Sequence, residues 1–138
     1  MYWFNYNINL SSDIFIKNMT ILLFGAIIRI KGNYHMKVRI VLSGLGRLET
    51  FIIKEENSSF ISPSVSRNID TEKFFIEFRE IIKNWPEEME NGSVQDGLNC
   101  VIMFKDNDEH VYMFNNKFPD NFEKLVNLLR SYENGSIN

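Results

Sequence analysis

The sequence predicts an α+β fold: an antiparallel sheet built from two or more hairpins, in the order ββ-α-ββ-α from residue 37, with two amphipathic helices packed on one face. Three observations predict it. Two stretches, 37–55 and 98–115, carry alternating or continuous apolar residues around a polar turn, the pattern of a hairpin. Two others, 71–85 and 119–132, repeat their apolar residues at the helical period. The chain also holds 12 Phe but only one alanine, Ala26. Bulky rings must then fill the core, and few small residues are left to seat close helix pairs. That composition favours helix on sheet over an all-helical bundle.

A length of 138 residues is one domain with at most an appendage. Residues 36–134 read as a single α+β domain, and residues 1–35 as an extension or as one or two extra strands, YWFNYNINL and ILLFGAIIRI. The run 19–28, MTILLFGAII, is the most apolar. It is too short to span a bilayer, which takes about 20 such residues, and Lys17, Asn18 and Arg29 flank it.

In the domain, Val38, Ile40 and Leu42 alternate with Lys37, Arg39 and Ser43, and Gly44 and Gly46 bracket the turn into a second strand, 47–55. The two glycines are not a phosphate loop, because a strand rather than a helix follows them. Residues 56–69 are rich in Ser and Asn around Pro63 and read as a loop with room for a short strand at Phe60. Asp70 caps the first helix; Phe74, Phe75, Phe78, Ile81, Ile82 and Trp85 form its apolar face, and Pro86 stops it near Trp85. Residues 87–97 read as an acidic, solvated loop. In the second hairpin, Leu98, Cys100, Ile102 and Phe104 share one face and Val101 and Met103 the other, which places this strand centrally in its sheet. The turn is KDNDE, 105–109. The last helix follows Pro119, with Asp120 and Glu123 as a capping box and a stripe of Phe122, Leu125, Val126, Leu129 and Tyr132.

Net charge is −3, with residues 1–35 basic and the remainder acidic. An acidic body disfavours non-specific nucleic-acid binding, which needs phosphate neutralisation. It suits a basic protein partner. The acidic residues available for such a contact are Glu87, Glu88, Glu90 and Asp96 in one loop and Asp106, Asp108 and Glu109 in the other.

Catalytic signatures are sparse. His35 and His110 stand far apart, Cys100 is the single cysteine, and neither a metal-ligand spacing nor a nucleophile elbow occurs. The expectation is a protein that is not an enzyme and has no cofactor and no metal site. A Cys100–His110 dyad across the second hairpin is the one enzymatic alternative. A lone cysteine in an apolar run points to a reducing, cytoplasmic setting.

The segment from the DG turn to the last helix resembles the tail of small bacterial proteins of immunity or uncharacterised type. The matching residues are Asp96, Gly97, Asn116, Pro119, Asn121, Phe122 and Leu125, over about 40 residues. It departs from them at Cys100 and at Phe114–Asn115, where those proteins carry Trp after the turn and Gly before the Asn. The resemblance implies a cytoplasmic binding protein, such as an immunity protein whose acidic loops cover a cognate basic toxin. The alternative is a structural or regulatory module that forms homo-oligomers through a sheet edge or the amino-terminal strand. A membrane is not an expected partner.

Overall fold

Antiparallel pairing of strand β3 (Lys37–Gly44) with β4 (Arg47–Lys54) on one side and β8 (Asn99–Lys105) on the other sets the frame of the protein. The computed structural model describes residues 20–23, 26–29, 35–92 and 97–135. The chain falls into two compact units, Met1–Tyr34 and His35–Asn138. In the first, β1 (Thr20–Leu23) pairs antiparallel with β2 (Ala26–Arg29), so ILLFGAIIRI supplies two short strands rather than one. The stretch YWFNYNINL lies outside the described residues.

The second unit holds a seven-stranded sheet in the order β6-β5-β4-β3-β8-β9-β7. It uses two helices, α1 (Thr71–Ile82) and α2 (Phe122–Glu133), and is the predicted α+β class. Three strands beyond the two hairpins complete the sheet. β5 (Ser59–Ile61) is the short strand for which the segment 56–69 had room at Phe60, and it forms a hairpin with β6 (Ser66–Asn68), which was not expected. It forms because Phe60 is fully buried and gives that segment a core anchor. The acidic segment 87–97 is not all loop either: β7 (Glu88–Glu90) runs parallel to β9 (Glu109–Asn115), with Met89 packed on the core. β8 is central, as its two apolar faces predict, lying between β3 and β9.

Helix α1 begins where the sequence places it. Asp70 has an extended backbone, and its carboxylate accepts the Lys73 N–H at 3.1 Å. The helix ends at Ile82, with Lys83 as its C-cap, three residues before Trp85, and Pro86 disfavours helix at Trp85. Helix α2 departs from the expected capping box. Its cap is Asn121 rather than Asp120, and the Asn121 side chain makes no cap bond. That side chain serves the tertiary fold instead. Trp85 Nε1 donates to its Oδ1 at 2.6 Å, and its Nδ2 donates to the Ile81 carbonyl at 3.0 Å. The end of α1 is thereby fastened to the start of α2.

Both helices cover the same face of the sheet. Phe74 meets Phe75, Phe78 and Tyr132; Phe78 and Phe75 meet Phe104; Trp85 meets Phe114. Val38, Ile40, Phe51, Ile53, Phe60, Cys100, Ile102, Phe104 and Phe114 complete the buried layer. On α2, Leu128 joins Leu125, Leu129 and Tyr132 in the core, while Phe122 and Val126 are half-buried. Among the described residues, no helix is long and apolar enough to cross a membrane.

Candidate interaction face

Strand alternation decides what stands on the other face of the sheet. Val38, Ile40, Ile102 and Phe104 point under the helices, so Lys37, Arg39, Val41, Val101, Met103 and Lys105 point away from them. The register extends this second face across the sheet. Ile52 pairs with Arg39 and Ile61, Val111 with Met103, and Met113 with Val101 and Glu88. The middle of the face is therefore largely apolar: Val41, Val101 and Met113 stand in one row, and in the next Arg39 separates Ile61 and Ile52 from Met103 and Val111. Met103, Val111 and Met113 are 39%, 46% and 42% exposed. A sheet face this apolar, with its outer residues still open, is unlike the polar outer face of an ordinary two-layer α+β domain.

Charge sits on the face in two groups. At one end, Lys37 lies directly between Lys54 and Lys105 across the strands, and Arg39 stands two residues further in. Like charges directly opposite one another destabilise a sheet. None of these four cations enters an ion pair among the described residues. Along the opposite edge, Glu88 and Glu90 project from β7 on the same face as Met113 and Asn115, and Glu109 ends the row that holds Lys105. These carboxylates enter no ion pair among the described residues either. The basic row was illegible in the sequence because Lys37, Lys54 and Lys105 come from three separate strands. Only register brings them together.

The acidic residues picked from the sequence divide. Glu87, Glu88, Glu90, Asp108 and Glu109 are exposed on the β7–β9 side of the sheet. Asp96 lies outside the described residues. Asp106 is turned inward and committed to the hairpin turn. Its carboxylate accepts the Asp108 N–H at 3.0 Å, meets His110 Nε2 at 3.1 Å and pairs with Arg79 at 3.2 Å. Burial works to raise its pKa, but those three partners outweigh it and hold the carboxyl below its ordinary value.

Cys100 and His110 do not form a dyad. Cys100 pairs with Phe114 and His110 with Phe104, which separates them by four residues along the ladder, or about 13 Å. Cys100 is buried, and burial pushes its thiol up to about 12. Among the described residues, no cluster of three His, Cys, Asp or Glu has the spacing of a metal site.

At the opposite end of the sheet lies an apolar cleft of about 190 Å³, lined in part by Leu42, Leu45, Leu98, Phe118, Phe122 and Val126. Its polar wall is already neutralised. Arg130 donates to Glu49 at 2.8 Å and to Glu133 at 3.0 Å, and the Arg130 bond is the main reason Glu49 stays below its ordinary pKa. Clefts that enclose small ligands run to about 300 Å³ or more, so this one reads as a packing groove between sheet end and α2.

Gly97, Asn116 and Asn121, three of the residues that carry the sequence resemblance, have structural tasks. A side chain at Gly97 would occupy the place of the Asn116 carboxamide. Asn116 takes a left-handed turn conformation and donates its N–H to the Leu98 carbonyl at 2.8 Å. Asn121 fastens the two helices as described. Compared with known proteins, the chain matches no family model, no curated sequence and no solved structure.

Proposed function

We propose that this is a non-catalytic protein-binding protein that works through the open face of its sheet. The observation that carries the reading is the composition of that face: an apolar centre of Val41, Val101, Met103, Val111 and Met113 inside a rim of charged side chains that enter no ion pair among the described residues. An apolar core within a polar rim is the anatomy of a protein interface. A narrower form of the reading is a basic partner, such as a toxin held by a cognate immunity protein. The exposure of Glu87, Glu88, Glu90, Asp108 and Glu109 along one side favours it.

The test is the size of the particle that contains the full-length chain in native cell extract, read by size exclusion. The unaltered chain is expected well above its 16.3 kDa monomer mass. A Met103→Lys/Val111→Lys chain, with its fold verified by circular dichroism, is expected at the monomer position. Co-migration of the two chains, at either position, contradicts the proposal.

A further inference from the structure

We infer that the occupant of the open sheet face is a second copy of this chain, set face to face by a two-fold axis. The inference rests on the reading of that face as a binding surface and names its partner. Three observations carry it.

The first is charge. The face bears its own complement: a basic end, Lys37, Lys54, Lys105 and Arg39, whose row Glu109 closes beside Lys105, and an acidic edge, Glu88 and Glu90. In a two-fold dimer each copy offers both groups, so the basic end of one meets the acidic edge of the other, twice. The like-charge row that costs stability in the lone chain becomes a binding element in the pair.

The second is direction. The lysine row runs across the strands, whereas Glu88 and Glu90 run along β7. Laying one over the other requires the strands of the two copies to cross at about 90°, one of the two ways in which sheets pack face to face. The largely apolar centres of the two faces then overlap.

The third is area. The face spans the neighbouring strands β5, β4, β3, β8 and β9, of 3, 8, 8, 7 and 7 residues, so about 500 Å² per copy at about 4.8 Å between strands and about 3.3 Å per residue. A standard interface takes about 800 Å² from each side. The long charged side chains at the rim supply the remainder. Edge-to-edge pairing is the poorer route, because both outer strands, β6 and β7, are three residues long.

Sedimentation of the purified full-length chain tests this with two charge-reversed variants, Lys37→Glu/Arg39→Glu and Glu88→Lys/Glu90→Lys. Circular dichroism first verifies that each is folded. The unaltered chain is expected as a dimer. Each variant alone is expected to dissociate about 100-fold more readily, because like charges now meet at both contacts. Mixed in equal amounts, the two variants are expected to restore the dimer, since each then faces its opposite. A recovery of that kind does not follow from simple loss of stability. Variants that dimerise as well as the original chain, or a mixture that stays monomeric, overturn the inference. A purified chain that is monomeric at every concentration, but belongs to a larger particle in extract, overturns the second copy and leaves the binding reading standing. Monomers in both settings remove both.

Discussion

Replacing Phe74 with alanine is expected to lower the melting temperature of the protein by about 12–40 °C. Phe74 is fully buried on α1, and its ring touches three others: Phe75 edge-on at 5.3 Å, Phe78 stacked at 5.9 Å and Tyr132 edge-on at 5.4 Å. It is the ring through which α1 reaches α2, because Tyr132 belongs to the last turn of that helix. Truncating such a residue loses the transfer energy of the ring and leaves a cavity that its rigid neighbours cannot fill. The cost is about 3–5 kcal/mol, and each kcal/mol shifts the melting point of a domain near 100 residues by about 4–8 °C. Thermal unfolding by circular dichroism checks it. Phe74→Leu, which keeps most of the volume, should lose less than half as much. Equal losses for the two substitutions would mean that the ring contacts contribute little.

The second large effect is expected at Gly44. Its φ is +128°, a conformation that L side chains rarely adopt, and a Cβ there would run into the carbonyl oxygen of Gly97. The obstacle is backbone, so no side chain can swing aside. Gly44→Ala is expected to cost about 3 kcal/mol from strain and displacement together. Gly46 supplies the control two residues away. Its φ is +76°, and a Cβ there would meet nothing within 4 Å, so Gly46→Ala should cost only about 1 kcal/mol of conformational strain. Chemical denaturation of both variants measures the difference. Equal costs would show that the close approach of β3 to the turn before β8 does not constrain the fold.

The elements that were legible in the sequence are those whose signals are local. Asp70, the ring spacing of α1 and Pro86 sit within one segment and mark one helix. The two main hairpins were equally plain, because Gly46 and the KDNDE turn divide alternating runs. The misread elements owe their state to distant parts of the chain. Nothing in Glu-Met-Glu marks a strand; β7 exists because β9 offers it a parallel ladder and the core accepts Met89. The Ser-rich segment holds β6 beside the short strand expected at Phe60, because Phe60 is drawn into the core and β5 then offers β6 a ladder. Asn121, not Asp120, takes the cap position, and it makes no capping bond because Trp85 and Ile81, about 40 positions earlier, claim its side chain.

The same reasoning explains how little of the candidate interaction face was visible. Apolar residues on both sides of β8 indicated a central strand and correctly placed it. They did not indicate that only one side would lie beneath helices. The acidic residues were conspicuous as runs, yet the run 105–109 mixes Asp106, locked into a turn by Arg79 and His110, with Asp108 and Glu109, which are open to solvent. The basic row had no signature at all until register aligned three strands.

Met103 and Met113 provide a native probe of the claim that one side of this sheet is packed by helices and the other is a working surface. Peroxide oxidation of the full-length chain in native extract, quantified residue by residue by mass spectrometry against the urea-unfolded chain, reads their protection directly. Oxidation of both as slow as that of half-buried Met89 is the predicted result. Oxidation at the rates that 39% and 42% exposure imply for a lone chain would contradict it.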